Sequence, residues 1–401
     1  MMTIFAVLLF VAVLPFLGAA LYLGFLSVLA LIPEPPAAHH GPARRRFVML
    51  IPARDEERRL PRLLASIEAL DYPRDLVSVL VIADNCTDGT AALARAWGAI
   101  VCERNDLERV GKGYAIDFGL RQIRDSYDAL VVIDGDCTVS ANLLTAFNRR
   151  LDAGDEAVQA YYTMSASGGS STQAVRGLAL ALVHLVRPLG KRRIGASAGL
   201  KGSGMCFSRR VITDSGWQAF GLAEDIEQHN RLLRRGFRVG FARAAVVSGA
   251  APDSLGDARG QHRRWEAGRL AAMRHDAISL LADGLRLRSM PRFDAGVELL
   301  IPPLSIVAAA LTSLFIAGVL MNSALVWGSA AVGLASLAAY LLAGLWLQGL
   351  GWRTTFWSIA MIPGYACWKL AVYAQSIAAR PVRWEQTRRT DADASAADAS
   401  P

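Results

Sequence analysis

The chain has 401 residues, 43 Lys and Arg against 35 Asp and Glu, a formal net charge of +8 and 53% hydrophobic side chains. That apolar fraction is too high for an ordinary pair of soluble domains, so part of the chain belongs in a membrane. The basic excess is scattered and comes with no helix-turn-helix pattern, aromatic stacking platform or basic arm, which excludes nucleic acid as a partner.

Residues 1–33 carry no charged side chain, and 4–32 are long enough to span a bilayer. No basic residue precedes this run, so it reads as an anchor rather than a cleaved signal peptide. Arg44, Arg45 and Arg46 follow it and place the downstream side in the cytosol. Residues 1–43 are thus expected to form an N-terminal anchor and linker.

Residues 44–291 are polar and long enough for one α/β core. Short runs rich in β-branched residues at 47–51, 77–83, 99–102 and 129–133 alternate with amphipathic stretches at 57–69, 90–97 and 112–123. This alternation predicts a mostly parallel sheet with crossover helices. The last run ends in Asp134-Gly135-Asp136, beyond a strand's carboxyl end, where a doubly wound sheet places its ligands. Two carboxylates held that close repel each other unless a cation lies between them, and an oxygen-rich site of this kind suits Mg²⁺ or Mn²⁺ carrying a diphosphate. The same tripeptide also makes a good solvated turn, so its neighbours decide between the readings.

Residues 177–186 are apolar apart from His184, and Arg187 and Lys191-Arg192-Arg193 follow, a pattern suited to a helix in the headgroup layer. The basic cluster, like Arg286-Leu287-Arg288, is expected to face anionic lipid. His184, with no second ligand at helical spacing, is expected to be a packed or interfacial histidine. From 299 to 352 no charge intervenes, enough for two spans joined near Asn322-Ser323, and 354–379 is interrupted only by Lys369. Four spans are therefore expected, although four would leave Arg380, Arg383, Arg388 and Arg389 outside, so the last stretch is either a span or an interfacial helix. Lys369 marks either a path for a polar substrate or a lysine snorkelling to headgroups. Residues 292–380 form the C-terminal membrane region, and 381–401 a polar tail expected to be disordered. Cys86, Cys102, Cys137, Cys206 and Cys367 have no C-x-x-C spacing and read as free thiols of a reducing cytosol.

Six segments carry chemistry in chain order: I-P-A-R-D-E-E at 51–57, D-N-C-T-D-G-T at 84–90, G-K-G at 111–113, D-G-D at 134–136, A-E-D at 223–225 and Q-H-R-R-W at 261–265. Together they resemble the membrane-embedded family 2 glycosyltransferases, the group of the cellulose, chitin, hyaluronan and poly-N-acetylglucosamine synthases. The resemblance implies an α/β, GT-A-like nucleotide-sugar-binding domain plus transmembrane helices. It implies an inverting, metal-dependent transfer from a nucleotide-diphosphate sugar, expected to be UDP-linked, to a growing β-linked polysaccharide. The alternative is non-processive glycosylation of a membrane lipid, as by ceramide glucosyltransferases, because Q-x-x-R-W marks both groups. An inactive transport or scaffold protein is the rival of another class, and the intact acids argue against it. The expected place is the cell membrane, with the catalytic domain cytosolic and export or accessory subunits as candidate partners.

Residue by residue, the resemblance makes Asp84 the reader of the base and Glu56 the acid of the first motif, with Asp55 standing where Asn is commoner. Lys112, one of only four lysines and set between glycines, is expected to touch ligand closely. Asp134 would contact the nucleotide sugar and Asp136 would hold the metal. Asp225 would be the general base, with Ala223 in place of the usual Thr. Gln261, Arg264 and Trp265 would bind substrate, Arg264 forking onto phosphate and Trp265 offering a face to a sugar. Residues 202–206 resemble the family's small-residue strand near the acceptor. Plainer readings stand beside these: Asp84 as a turn acid, Asp225 as a helix-start acid favoured by the dipole, and Trp265 as an interfacial anchor.

Overall fold

The structure, a computed structural model, describes residues 2–33, 44–124, 126–165, 171–250 and 255–378. The arginines expected in the tail lie outside the described residues. The polar region is built on eight strands: β1 (Phe47–Ala53), β2 (Val77–Asp84), β3 (Ile100–Arg104), β4 (Ala129–Val132), β5 (Cys137–Val139), β6 (Ala157–Ser165), β7 (Met205–Ser208) and β8 (Val239–Ala250). They form one sheet in the order β3-β2-β1-β4-β7-β6-β8-β5. β1 to β4 are parallel, as is the β6–β8 pair, whereas β7 runs antiparallel to β4 and β6, and β5 antiparallel to β8. Every strand run expected from the sequence is present, with ends shifted by a few residues.

The helices are α1 (Met2–Ala30), α2 (Leu60–Glu68), α3 (Thr90–Trp97), α4 (Lys112–Gln122), α5 (Leu143–Asp152), α6 (Ser171–Ala181), α7 (Arg187–Arg193), α8 (Arg209–Ser215), α9 (Glu224–Arg234), α10 (Leu255–Arg286), α11 (Met290–Leu300), α12 (Leu304–Leu320), α13 (Ala324–Gln348) and α14 (Trp352–Ala378). The strands are apolar at successive positions because both faces are covered. Leu50, Ile82, Leu130 and Val132 join a core on one face, while Met49, Ile51, Val81 and Val131 join a core on the other. The two-residue period of a strand separates the sets, and the first core is continuous with α1, α12 and α13.

Among the described residues two helices, Phe5–Ala30 within α1 and all of α13, are long and apolar enough to cross a membrane. The pair α11 and α12, bent by 65° at its break, would make a third. α12 and α13 are separated at residues 321–323, at the Asn-Ser expected from the sequence. α14, which contains Arg353 and Lys369, is not among these candidate spans, so by length and composition two or three of the four expected spans are found among the described residues. It packs on α6 and α10 and exposes Phe356, Trp357 and Ile359, with Trp346 and Trp352 exposed beside them. That is the profile of a helix lying in an interface.

Lys191 corrects a second expectation. It does not face lipid but is fully buried, with Nζ 2.9 Å from Asp294 Oδ2 and also paired with Glu298. Tyr22 of α1 donates to Asp294 Oδ1 at 2.6 Å, and Arg187 Nε donates to Tyr340 of α13 at 2.9 Å. The stretch expected in the headgroup layer, continued through a π-helical turn at Leu182–Val186, instead packs against α1, α13 and α14. The cause is the carboxylate pair on α11, one helical turn apart, which draws both cations inward. Arg193 stays at the edge, donating to the carbonyls of Ile32 and Pro33 at 2.8 and 2.7 Å.

Candidate active site

The loops after β1, β2 and β4, the first turns of α4 and α9, and one face of α10 surround a cavity of about 610 Å³. The structure brings Glu56, Asp84, Lys112, Asp134, Asp136, Asp225, Gln261, Arg264 and Trp265 to its wall. They come from distant parts of the chain because the parallel strands deliver their following loops to one edge.

Asp84 ends β2 and is buried. Its Oδ1 accepts from Arg104 Nη1 at 2.6 Å and from Asn85 Nδ2 at 3.0 Å. Burial raises the pKa of this carboxyl and Arg104 opposes the rise. Arg104 also lies 5.8 Å from the centre of the Tyr114 ring, which stacks on Phe220 at 4.5 Å. Sequence reasoning missed Arg104. The signal was an acid and a base ending neighbouring parallel strands, where the register pairs Asp84 with Arg104. The turn-acid role belongs to Asp88, which accepts from Thr90 N at 3.0 Å. Glu56 is held by its backbone, donating to Thr90 Oγ1 at 2.8 Å, and lies 3.5 Å from Arg59. Asp55 has a left-handed φ of 51° and accepts from Thr87 N at 2.6 Å. Asn and Asp both tolerate that conformation, so Asp can stand where Asn is commoner.

Lys112 opens α4, and its Nζ lies 2.5 Å from Asp134 Oδ1 and 3.5 Å from Glu224 Oε1 and donates to Gly202 O at 2.6 Å. Burial works to lower its pKa, but Asp134 and then Glu224 raise it above the ordinary lysine value. The following glycine has a different use from the one expected. A Cβ on Gly113 would meet Ala219 O at 1.9 Å, so this residue lets α4 approach the 217–220 segment rather than opening space for ligand.

Asp134 donates its N–H to Ser203 Oγ at 3.0 Å. Burial raises its carboxyl pKa, Lys112 opposes that, and Asp136 adds to the rise. Ligand-type atoms of Asp134, Asp136 and Cys137 lie within 4.8 Å of one another. Burial and then Asp136 push the Cys137 thiol well up, and a hard dication takes carboxylate oxygen in preference to sulfur. Lys112 holds Asp134, and Asp136 beside it brings the second carboxylate of the pair to the cavity wall. That donor set fits a hard dication completed by diphosphate oxygens and water. A second group, Asp55, Cys86 and Asp88, sits as close, but its carboxylates already accept from Thr87, Thr90 and Glu57 as braces of the loop.

Gly202 and Gly204 have φ of +82° and +72°, a conformation other residues resist. The turn they make carries Gly202 O to Lys112 and Ser203 Oγ to Asp134 before entering β7. Asp225 is the second residue of α9, and its Oδ1 accepts from Ile226 N at 2.9 Å. Burial raises its pKa, with the Ile226 N–H, Lys112 and Lys201 pulling it back. A Cβ placed on Gly202 would lie 3.8 Å from Lys112 Nζ and 4.0 Å from Asp225 Oδ2, so Asp225, Lys112 and the turn approach one point.

On α10, Gln261 Oε1 is buried with no hydrogen-bond partner among the described residues. Trp265 meets His262 edge to face at 5.1 Å, and His262 meets Trp368 of α14 at the same distance. Lys369 Nζ lies 2.9 Å from Glu266 Oε1 and 3.0 Å from His262 Nδ1. It therefore lines the cavity instead of snorkelling, because α10 supplies a carboxylate there. Burial, then Lys369, lowers the His262 pKa to about 2. His184 also lines the cavity and is packed as expected, its Nδ1 3.1 Å from Tyr162 O and its pKa lowered to about 3 by burial. The same cavity is also lined by apolar side chains, among them Leu178, Leu182, Leu304, Leu341 and Ile362.

Residues 43–268 match the family model described as glycosyltransferase like family 2. The chain belongs to that family. Among solved structures, a mannosyltransferase of Pyrobaculum calidifontis, PcManGT in complex with GDP-Man and Mn²⁺, superposes on this family 2 chain with a TM-score of 0.58, covering 94% of this chain and 99% of its own at 19% identity. That likeness is one of fold, the GT-A-like sheet with its helices. The 4,4'-diaponeurosporenoate glycosyltransferase of Staphylococcus haemolyticus is 28% identical over 133 residues, 31% of this chain and 34% of its own length. Its namesake from Staphylococcus aureus strain MRSA252 is 41% identical over 70 residues, 18% of each chain. The match thus spans about a third or less of these curated relatives.

Proposed function

We propose that the protein is an inverting glycosyltransferase that moves a sugar from a nucleotide diphosphate to a hydroxyl of a lipid acceptor at the cytosolic face of a membrane, with Mg²⁺ or Mn²⁺ as cofactor. The observation that carries the reading is one cavity lined both by the acids and Lys112 and by apolar side chains from α6, α12, α13 and α14. Asp84 on the cavity wall would receive the base, with Arg104 paired to it, and UDP remains the expected donor from the motif at 84–90. Asp136 would hold the divalent ion, which when bound neutralises and orients the departing diphosphate. Lys112 and Arg264 supply further positive charge to the leaving group.

In the transfer, the acceptor oxygen forms a bond to the anomeric carbon as its proton passes to Asp225. The bond from that carbon to the diphosphate oxygen breaks, and its electrons leave with the nucleoside diphosphate. The glycoside formed is β if the donor is α. Gln261 Oε1 is free to accept a hydrogen bond from a sugar hydroxyl.

The apolar wall favours a lipid acceptor over the polysaccharide expected from the sequence. The curated relatives support this, being named for a non-sugar acceptor, 4,4'-diaponeurosporenoate. Polymer synthesis is the second reading, favoured by Trp265 on the cavity wall within Q-x-x-R-W. Purified full-length protein in a lipid extract, given UDP-sugars or GDP-Man with Mg²⁺ or Mn²⁺, should yield a sugar-bearing product that partitions into organic solvent. Long water-soluble carbohydrate would establish the polymer reading instead, and transfer undiminished by excess chelator would remove the metal. Topology is tested separately: a cysteine introduced near Asp152 should resist impermeant reagents in intact cells.

A further inference from the structure

Lys201 opens the turn that carries Gly202 and Gly204, and its N–H donates to Gln159 Oε1 at 2.9 Å, which fixes the backbone from which its side chain leaves. It lines the cavity and is one of only four lysines in the chain. The other basic side chains of the wall have partners. Arg59 lies 3.5 Å from Glu56, Lys112 2.5 Å from Asp134, Arg187 3.5 Å from Glu298 and Lys369 2.9 Å from Glu266. Arg269 donates to the Ile301 carbonyl, and Arg54, Arg176 and Arg264 are partnered too. Lys201 Nζ makes neither a hydrogen bond nor an ion pair among the described residues.

Burial holds the Lys201 pKa below the ordinary value, and Lys191 and Arg187 add to the lowering while Glu298 and Asp225 oppose it. These neighbours put it between the proposed base and the group of charges beside α13. Lys201 is half-buried in the cavity wall and has no counter-ion among the described residues, so an anion brought to it gains a charge-assisted contact. Asp225 is not that anion, since it forms no ion pair with Lys201 and must stay free to take a proton. A compact ammonium on a fixed turn suits a single point contact.

We propose that Lys201 binds an anionic group, a carboxylate or a phosphate, carried by the acceptor close to the hydroxyl that Asp225 deprotonates, so that the acceptor is an anionic amphiphile. Its tail would run along Leu178, Leu182, Leu341 and Ile362, which line the same cavity. This rests on the lipid-acceptor reading above and adds the charge of the head.

The test uses full-length protein in nanodiscs of neutral lipid, without donor sugar, and follows displacement of the fluorescent fatty acid cis-parinaric acid. Dodecanoate or dodecyl phosphate should displace it at about tenfold lower concentration than dodecanol, and the tighter of the two identifies the head. Lys201→Met should abolish that preference, and Lys201→Arg should keep most of it. UDP binding and the unfolding temperature of each variant report whether it has folded, and Lys201→Gln serves if the Met variant has not. Equal displacement by charged and neutral chains, or a preference that survives Lys201→Met, would overturn the proposal. Displacement by inorganic phosphate as effective as by dodecyl phosphate would overturn the amphiphile in favour of a free anion. Because no transfer is needed, an anion preference persisting in a protein that makes no lipid product would sink the proposed function and leave the anion site standing.

Discussion

The two walls of the cavity are built on different principles. The acid wall sits on loops after parallel strands, where Lys112 reaches Asp134, Glu224 and the Gly202 carbonyl at once. Its side chains are fixed by charge, and small displacements would break the geometry. The apolar part of the lining comes largely from α12, α13 and α14, which also expose apolar side chains outward, and it offers shape and hydrophobic area. Polar contacts interrupt it, Lys369 with Glu266 and His262, and Arg187 with Tyr340. A rigid polar wall suits a donor whose charges must be met, and an apolar wall suits an acceptor delivered from a membrane.

Substitutions should separate the walls. The largest effect is expected at Asp225→Asn, which keeps the shape but removes the proton acceptor; transfer should fall by roughly 10²–10⁴-fold while UDP affinity changes little. Weak UDP binding with normal transfer at saturation would move Asp225 to the donor. Since burial raises the Asp225 pKa, the acid limb of the rate profile in native protein should lie above the ordinary carboxylate range and vanish in the variant.

Lys191→Met leaves Asp294 buried without its cation and Glu298 with Arg187 alone. A loss of about 3–5 kcal/mol in stability is expected, read as a lower unfolding temperature in detergent. An unchanged midpoint would show that the ion cluster does not hold α7 to α11. Trp265→Ala should act on the acceptor alone, raising its KM by about tenfold through the lost ring face. Equal harm to UDP binding would place the indole on the donor side.

The smallest effect concerns His229, buried behind the turn with its Nε2 2.8 Å from Ser197 Oγ. Burial lowers its pKa to about 3 from 6.5. Below pH 6.5 the unfolded chain takes up a proton that the fold refuses, so stability is complete above 6.5 and lost as pH falls toward 3. The slope is about 1.4 kcal/mol per pH unit for one such histidine. His229→Gln should flatten stability between pH 6.5 and 5, and an unaltered slope would assign the loss to other groups such as His184.

Much of this was legible in the sequence because it depends on local pattern. Apolar β-branched runs bounded by Gly and Asp mark strands whatever their neighbours, so β1 to β4 and α2 to α4 appear close to their expected limits. The candidate site residues could be named from the six motifs and the resemblance they carry, and for the first four motifs the loops at the ends of the strands share one edge by topology. The partners of charges were not legible. Lys191 and Lys369 sit in sequence among lipid-compatible residues, and only the docking of α11 and α10 supplies their carboxylates. Arg104 and Lys201 lie in segments without a motif, and their relation to Asp84 and Asp225 exists only once β3 pairs with β2 and the 201–204 turn meets α9.

The sequence by itself determined the alternation of strands and helices, the apolar segments, and which acids and bases follow which strands, since each rests on the chemistry of a few adjacent residues. Tertiary structure decided which cations are paired, that Lys201 Nζ has no partner among the described residues, that α14 lies against α6 and α10, and that apolar side chains line the same cavity as the acids. Those outcomes depend on distances between groups up to hundreds of residues apart. Electrostatic pairing falls off with distance in space, which the order of the chain does not encode.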